Sequence, residues 1–181
     1  NGRRLLLDCG LFQGTKELRL RNWDPLPVNP ATIDWVVLTH AHIDHTGYLP
    51  RLVRDGFRGT IYANAATRDL CAILLPDSAR LQEEDAEHAA LKGFSKHKEP
   101  QPLYTVEEAE AALGRIQVIP RNSSFRISPE FSVRLLGAGH ILGSAMIELT
   151  VTENGKTVVV LFSGDVGRYD QPILNDPEPP P

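Results

Sequence analysis

Apolar residues along this chain come in short runs bounded by glycine, proline and acids, with one long helical stretch in the middle. Arg4-Leu5-Leu6-Leu7-Asp8-Cys9 reads as a short strand that ends in a carboxylate, followed by turn signals at Gly10 and Gly14. Ile33 to Thr39 reads as a second, buried strand and Thr60 to Ala63 as a third. Between these two, Arg51 to Asp55 has the character of a short helix closed by Gly56. From Thr67 to about Leu91 the spacing turns helical, with Leu70, Leu74 and Leu81 on one side; Pro76 is expected to kink or split this helix, because it removes a backbone donor. Phe94 to Pro102 is a charged connector, and Thr105-Val106-Glu107-Glu108 is a capping box opening a second helix that Gly114 ends. The last third predicts strands over Ile116 to Ile119, Phe131 to Leu136, Ala145 to Val151 and Val158 to Phe162, with Asn154-Gly155 as the hairpin signal between the last two. Strands, then helices, then strands around a shared core predict an α/β layered fold.

Composition narrows the class. The chain has 181 residues, 41% of them hydrophobic, enough for one domain with a sizeable core. Its net charge of −4 excludes a global basic field for nucleic acid, so any phosphate-binding surface is local or on further sequence. Cys9 and Cys71 lie in no metal-binding spacing and are expected to be small buried hydrophobes, as suits a reducing, cytoplasmic setting. No apolar run approaches membrane-spanning length, and no membrane partner is expected. Asn1-Gly2-Arg3-Arg4 reads as a hairpin turn already inside a sheet, and Asp176-Pro177-Glu178-Pro179-Pro180-Pro181 as the start of a linker. Both ends are those expected of a piece of a longer protein.

The chemistry concentrates in Leu38-Thr39-His40-Ala41-His42-Ile43-Asp44-His45-Thr46-Gly47. Three imidazoles and a carboxylate crowd into six residues directly after an apolar strand. Such crowding is costly for structure alone, and these side chains are ligands for zinc-like metals. His40 and His42, at i and i+2, point to the same side of an extended segment, while Asp44 and His45 can turn toward a second metal position. Two later segments repeat the design. Gly137-Ala138-Gly139-His140 follows one strand, and Ser163-Gly164-Asp165 follows another. Together they complete a plausible two-metal centre, in which paired metals generate hydroxide near neutral pH and stabilise charge on a phosphoryl or carbonyl oxygen. Asp165 can bridge the ions, and Asp44 can bind one of them and orient or deprotonate the nucleophile. Asp8 either fixes a ligand imidazole through its remaining N–H or caps a turn. His88 and His97 have no ligand-like spacing and are expected to be ordinary exposed residues.

His40-Ala41-His42-Ile43-Asp44-His45 resembles the HxHxDH signature of the metallo-β-lactamase superfamily, with Asp8, His140 and Asp165 matching its other ordered motifs. Asp8-Cys9-Gly10-Leu11-Phe12-Gln13-Gly14, Gly139-His140-Ile141-Leu142-Gly143-Ser144-Ala145 and Phe162-Ser163-Gly164-Asp165-Val166-Gly167-Arg168 resemble its β-CASP branch of RNA- and DNA-processing nucleases. Within that branch the likeness is to RNA-specificity-factor-like exonucleases, akin to the cleavage and polyadenylation nuclease. The resemblance implies a four-layer αββα sandwich, incomplete in this chain, with the metals at the sheet edge. It implies His40, His42 and His140 on one zinc, Asp44 and His45 on the other, and Asp165 between them. Residues 1–171 would be a metallo-β-lactamase domain lacking its first strand and its C-terminal part, and residues 172–181 a proline-rich lead-in to a β-CASP domain. That further domain and a last histidine ligand would follow, so the segment by itself is expected to be inactive.

The function implied is a dinuclear-zinc hydrolase of RNA, with manganese also compatible with mixed N/O ligands. Its expected substrate is single-stranded RNA, cleaved by metal-bound hydroxide, and the full-length protein is expected to form a homodimer. The competing readings are a thioester, lactone or lactam hydrolase of the same superfamily and a non-catalytic scaffold subunit. Gly164-Asp165-Val166-Gly167-Arg168 with its proline-rich exit favours the nuclease over small-ester hydrolases, and the full set of testable ligands argues against the scaffold.

Overall fold

A computed structural model describes residues 2–92 and 100–180. The charged connector expected over Phe94 to Pro102, and His97 within it, fall largely outside the described residues.

Four short strands, β1 (Leu5–Leu7), β2 (Trp35–Val37), β3 (Thr60–Ala63) and β4 (Ile116–Val118), form a parallel sheet in chain order. The inner strands β2 and β3 are largely buried on both faces, which is why they are mostly apolar, whereas Gln117 and Val118 of the edge strand β4 are exposed. Alternation sorts their side chains between two cores. Val36 and Ile61 pack toward the helices with Leu52, Phe57, Leu75 and Tyr104. Val37 and Tyr62, one residue on, pack against Val133, Leu135 and Ile147 of the second sheet. That second sheet is an antiparallel meander of β5 (Phe125–Arg126), β6 (Phe131–Gly137), β7 (Ala145–Glu153) and β8 (Lys156–Phe162). Asn154 and Gly155, at φ 51° and 73°, make the β7–β8 turn that their sequence predicts.

The helices are α1 (Lys16–Leu20), α2 (Ile43–Thr46), α3 (Leu49–Arg54), α4 (Ala65–Lys92) and α5 (Val106–Leu113). The Thr105/Glu108 capping box of α5 is formed in both directions. α4 departs from two expectations in part. The helix runs through Pro76 without being split. The carbonyl that loses its donor belongs to Ala72, which is exposed, so water can satisfy it. The buried stripe is Thr67, Cys71, Leu75 and Ala79, whereas Leu81 is 53% exposed. Leu70 and Leu74 are partly buried against the same core, so the leucine spacing marks the border of the packed face and Leu81 falls outside it.

The described residues build three layers, helices over a parallel sheet over an antiparallel sheet. Val158 to Phe162 of β8 are 36–58% exposed, so these residues do not supply a second helical layer. β1 pairs only with β2 among the described strands, and Asn1 of the hairpin expected around Gly2 lies outside the described residues. Within the expected linker, Pro177 and Glu178 lie against the body. Pro177 is buried, Glu178 N–H donates to Gly137 O at 2.8 Å, and Glu178 Oε1 accepts from Gly137 N–H at 2.9 Å.

Candidate metal centre

Every residue that the sequence marks as a ligand lies beyond the C-terminal end of a strand. β2 delivers His40 and His42, and α2 begins immediately afterwards, carrying Asp44 and His45 on its single turn. β6 ends at Gly137 and leads into the loop holding His140, while β8 ends at Phe162, three residues before Asp165. The two sheets thus bring together residues as far apart in the chain as His40 and Asp165.

His40, His42, His140 and Asp165 offer ligand atoms that all lie within 4.8 Å of one another. His42 Nδ1 is 3.0 Å from His40 Nε2 and 3.3 Å from His140 Nε2. Asp165 Oδ2 faces the same group, 3.5 Å from His140 Nε2 and 4.0 Å from His40 Nε2. Its other oxygen, Oδ1, is 3.5 Å from His45 Nε2, which in turn is 3.9 Å from Asp44 Oδ2. Asp44 and His45 therefore stand outside the four-residue group, joined to it through Asp165. Nitrogens this close suit a shared cation far better than one another, since at most one proton can sit between each pair. The donor set, mixed imidazole and carboxylate, fits zinc or a similar ion.

One carboxylate sets the protonation pattern of both halves. Asp8, its side chain 10% exposed, accepts from Thr39 N–H, Thr39 Oγ1–H and His45 Nδ1–H, each at 2.7 Å. With its proton committed to Asp8, the Thr39 hydroxyl accepts from His40 Nδ1–H at 2.9 Å. In their neutral forms, both His40 and His45 therefore turn the Nε2 lone pair toward Asp165. Burial pushes the Asp8 carboxyl above its ordinary range, opposed by the hydrogen bonds from His45 and Thr39. Burial likewise holds the fully enclosed His40 imidazole down to about 4, helped by neighbouring His45 and His42 and opposed by Asp165. His40 is neutral at neutral pH, as a ligand must be.

Close backbone approaches fix the geometry. A Cβ on Gly10 would lie 1.6 Å from the Asp44 carbonyl oxygen, so only glycine lets the loop after β1 run against the Asp44–His45 backbone. Gly164, at φ 53°, lies against Thr39, where a Cβ would come within 2.7 Å. Asp8 itself has φ 57°, a left-handed conformation that aspartate tolerates better than most residues.

Several supporting residues escape a reading of the sequence. Ser144 Oγ accepts from His140 N–H at 2.9 Å and from Ile141 N–H at 3.2 Å. Asn64 caps α4 by accepting from Thr67 N–H at 3.0 Å, and both Asn64 and Thr67 donate to Gly143 O in the His140 loop. An asparagine before a helical run is a recognisable N-cap, so that signal was available. The roles of Thr39 and Ser144 have no local signature. His88 is exposed and remote from this group, as expected. Cys9 and Cys71 are buried free thiols that burial pushes up to about 12, in keeping with a purely apolar role. Among the described residues, no helix is long and apolar enough to cross a membrane.

A family model described as the metallo-beta-lactamase superfamily matches residues 1–181. The chain is 38% identical over 180 residues to a ribonuclease of Thermus thermophilus, covering 99% of this chain and 36% of the relative. It is 31% identical over 175 residues to the transcription termination factor FttA of Methanothermobacter thermautotrophicus, covering 94% and 25%. Against the cleavage and polyadenylation specificity factor 73 of Drosophila melanogaster it is 28% identical over 187 residues, covering 99% and 24%. The chain thus spans between 24% and 36% of the length of these relatives. Among solved structures, a metallo-beta-lactamase of Cronobacter sakazakii is similar with a TM-score of 0.53 at 19% identity, covering 97% of this chain and 57% of that one. That likeness is one of fold.

Proposed function

The chain belongs to the metallo-beta-lactamase superfamily, and from that membership we propose that it carries the metal centre of a dinuclear, zinc-dependent ribonuclease of the β-CASP branch. The observation that carries the proposal is the orientation of Asp165. One of its oxygens faces His140 and His40 and the other faces His45, which supports a carboxylate that would serve both ions of a pair. His40, His42 and His140 would hold one ion, and Asp44 and His45 the other. When bound, such ions supply Lewis-acid stabilisation of phosphoryl charge and activation of water near neutral pH.

The chain's own residues do the rest. Asp8 holds His45 directly, and His40 through Thr39, in the tautomers that leave Nε2 free. Asp44, its side chain 53% exposed, would orient an attacking water and accept its proton. RNA as substrate is supported by the relatives, described as a ribonuclease, a transcription termination factor and a cleavage and polyadenylation factor. In this reading residues 1–171 belong to the metal-binding domain and residues 172–181 lead toward a β-CASP domain.

The test is cleavage of 5′- and 3′-labelled RNA by the full-length protein, with metal analysis alongside. About two zinc-like ions per chain are expected, and His42→Ala should abolish turnover. A wild-type rate in His42→Ala would sink the mechanism, and cleavage of thioesters or lactones in place of RNA would move the centre to the small-molecule hydrolases.

A further inference from the structure

Phe12 is an aromatic ring left in solvent on a hydrogen-bonded backbone. It is 44% exposed. Its backbone is nevertheless clamped by the buried Asn22 side chain, which accepts from Phe12 N–H at 2.7 Å and donates to Phe12 O at 2.9 Å. The same loop is tied to the metal centre: Cys9 N–H donates to His45 O at 2.7 Å and Leu11 N–H to Ile43 O at 3.0 Å. The Arg21 guanidinium lies over the Phe12 ring, 4.3 Å from its centroid. Trp23, 45% exposed, carries Arg51 over its ring at 5.8 Å.

Phe12 stands between two clefts. One, of about 350 Å³, also has Asp8, Arg21 and Tyr48 in its walls. The other, of about 630 Å³, has Arg19, Trp23 and Ile43, the neighbour of Asp44. Among the described residues neither Arg19 nor Arg21 has an ion-pair partner, although the chain as a whole is negative. Single exposed apolar residues are ordinary. An exposed aromatic plane on a pinned backbone, capped by an unpaired guanidinium and carried on a loop bonded to the backbone beside candidate metal ligands, is a prepared surface. Its chemistry suits a planar, anionic ligand: aromatic and arginine planes stack unpaired bases, and free arginines meet phosphates.

We propose that Phe12, Arg21 and Trp23 form a nucleotide-binding subsite that holds single-stranded RNA beside the metal centre, with bases on the rings and phosphates on Arg19 and Arg21. The proposal rests on the RNA-cleaving reading above and adds to it the residues that grip the strand.

Binding of a 5′-fluorescein oligouridylate to the full-length protein, depleted of metal to prevent cleavage, tests it. Hydrolysis of bis(p-nitrophenyl) phosphate by the metal-loaded protein serves as the control, because that diester is too small to span both places. Phe12→Ala should weaken RNA binding by about 5- to 150-fold and Phe12→Tyr should restore it, while hydrolysis of the small diester and the melting temperature stay at wild type. Arg21→Gln should reduce the salt dependence of binding by about one phosphate contact. Wild-type RNA binding that Phe12→Ala leaves unchanged removes the subsite alone. A wild-type protein that hydrolyses the small diester but binds no RNA removes the RNA reading as well. A large fall in melting temperature in Phe12→Ala would assign the ring to packing against another part of the protein and overturn the proposal.

Discussion

Asp8→Asn is the sharpest perturbation of the centre, because it changes one atom and one charge while preserving the backbone. Asparagine tolerates the left-handed φ of 57° at this position, whereas alanine would add about 1–2 kcal/mol of conformational strain to the chemical effect. The amide oxygen can still accept from Thr39 N–H. The amide nitrogen then stands where Oδ2 accepted from both Thr39 Oγ1–H and His45 Nδ1–H. Two donors would face a third. The least costly escape shifts the His45 proton to Nε2, so that Nδ1 accepts from the new amide. That proton then occupies the nitrogen facing Asp44 and Asp165, where a lone pair is needed. The metal-free protein should lose only about 1–3 kcal/mol of stability, the scale of one impaired hydrogen bond at a buried group. Zinc affinity should fall by about 10- to 100-fold, the usual cost of losing a partner behind a ligating histidine. Competition with a chromophoric chelator reads the affinity, and chelator-treated thermal melts read the stability. Unchanged zinc affinity in Asp8→Asn would refute the tautomer argument.

Other consequences are equally direct. Gly10→Ala forces a methyl into the Asp44 carbonyl, so it should destabilise the protein by about 1–3 kcal/mol or more and lower metal content, read by melting and metal analysis. In metal-free protein the His40 imidazole, held at about 4, stays neutral where the unfolded chain takes up a proton. Stability should therefore fall by about 1.4 kcal/mol per pH unit from this group as pH drops from the ordinary 6.5 toward 4, with no contribution above that window. An acid slope unchanged in His40→Gln would disprove it. Cys9 and Cys71 should resist iodoacetamide at pH 8 in the native protein and react at once in denaturant, followed by mass spectrometry.

The sequence by itself marked the candidate ligands, because their signal is local. Three histidines and an acid within six residues, at the end of an apolar strand, have few purposes besides metal binding. His140 and Asp165 were legible for the same reason, as polar residues beside glycine where a buried strand stops. The Asn154-Gly155 hairpin and the Thr105/Glu108 cap were legible too, since each is a short-range arrangement of backbone and adjacent side chains. What the tertiary structure alone decided is how these pieces meet. Nothing near Thr39 announces that its hydroxyl passes the influence of Asp8 on to His40, because that contact depends on β1 lying beside β2 in register, Leu7 opposite Val37. Nor could the α4 pattern reveal that Thr67, Cys71 and Ala79 face the core while Leu81 does not, because close packing rewards small side chains as well as apolar ones. Residue type is fixed along the chain. Which atom of Asp165 faces which histidine depends on two sheets packed through Val37, Tyr62 and Ile147, and only the assembled core sets that distance.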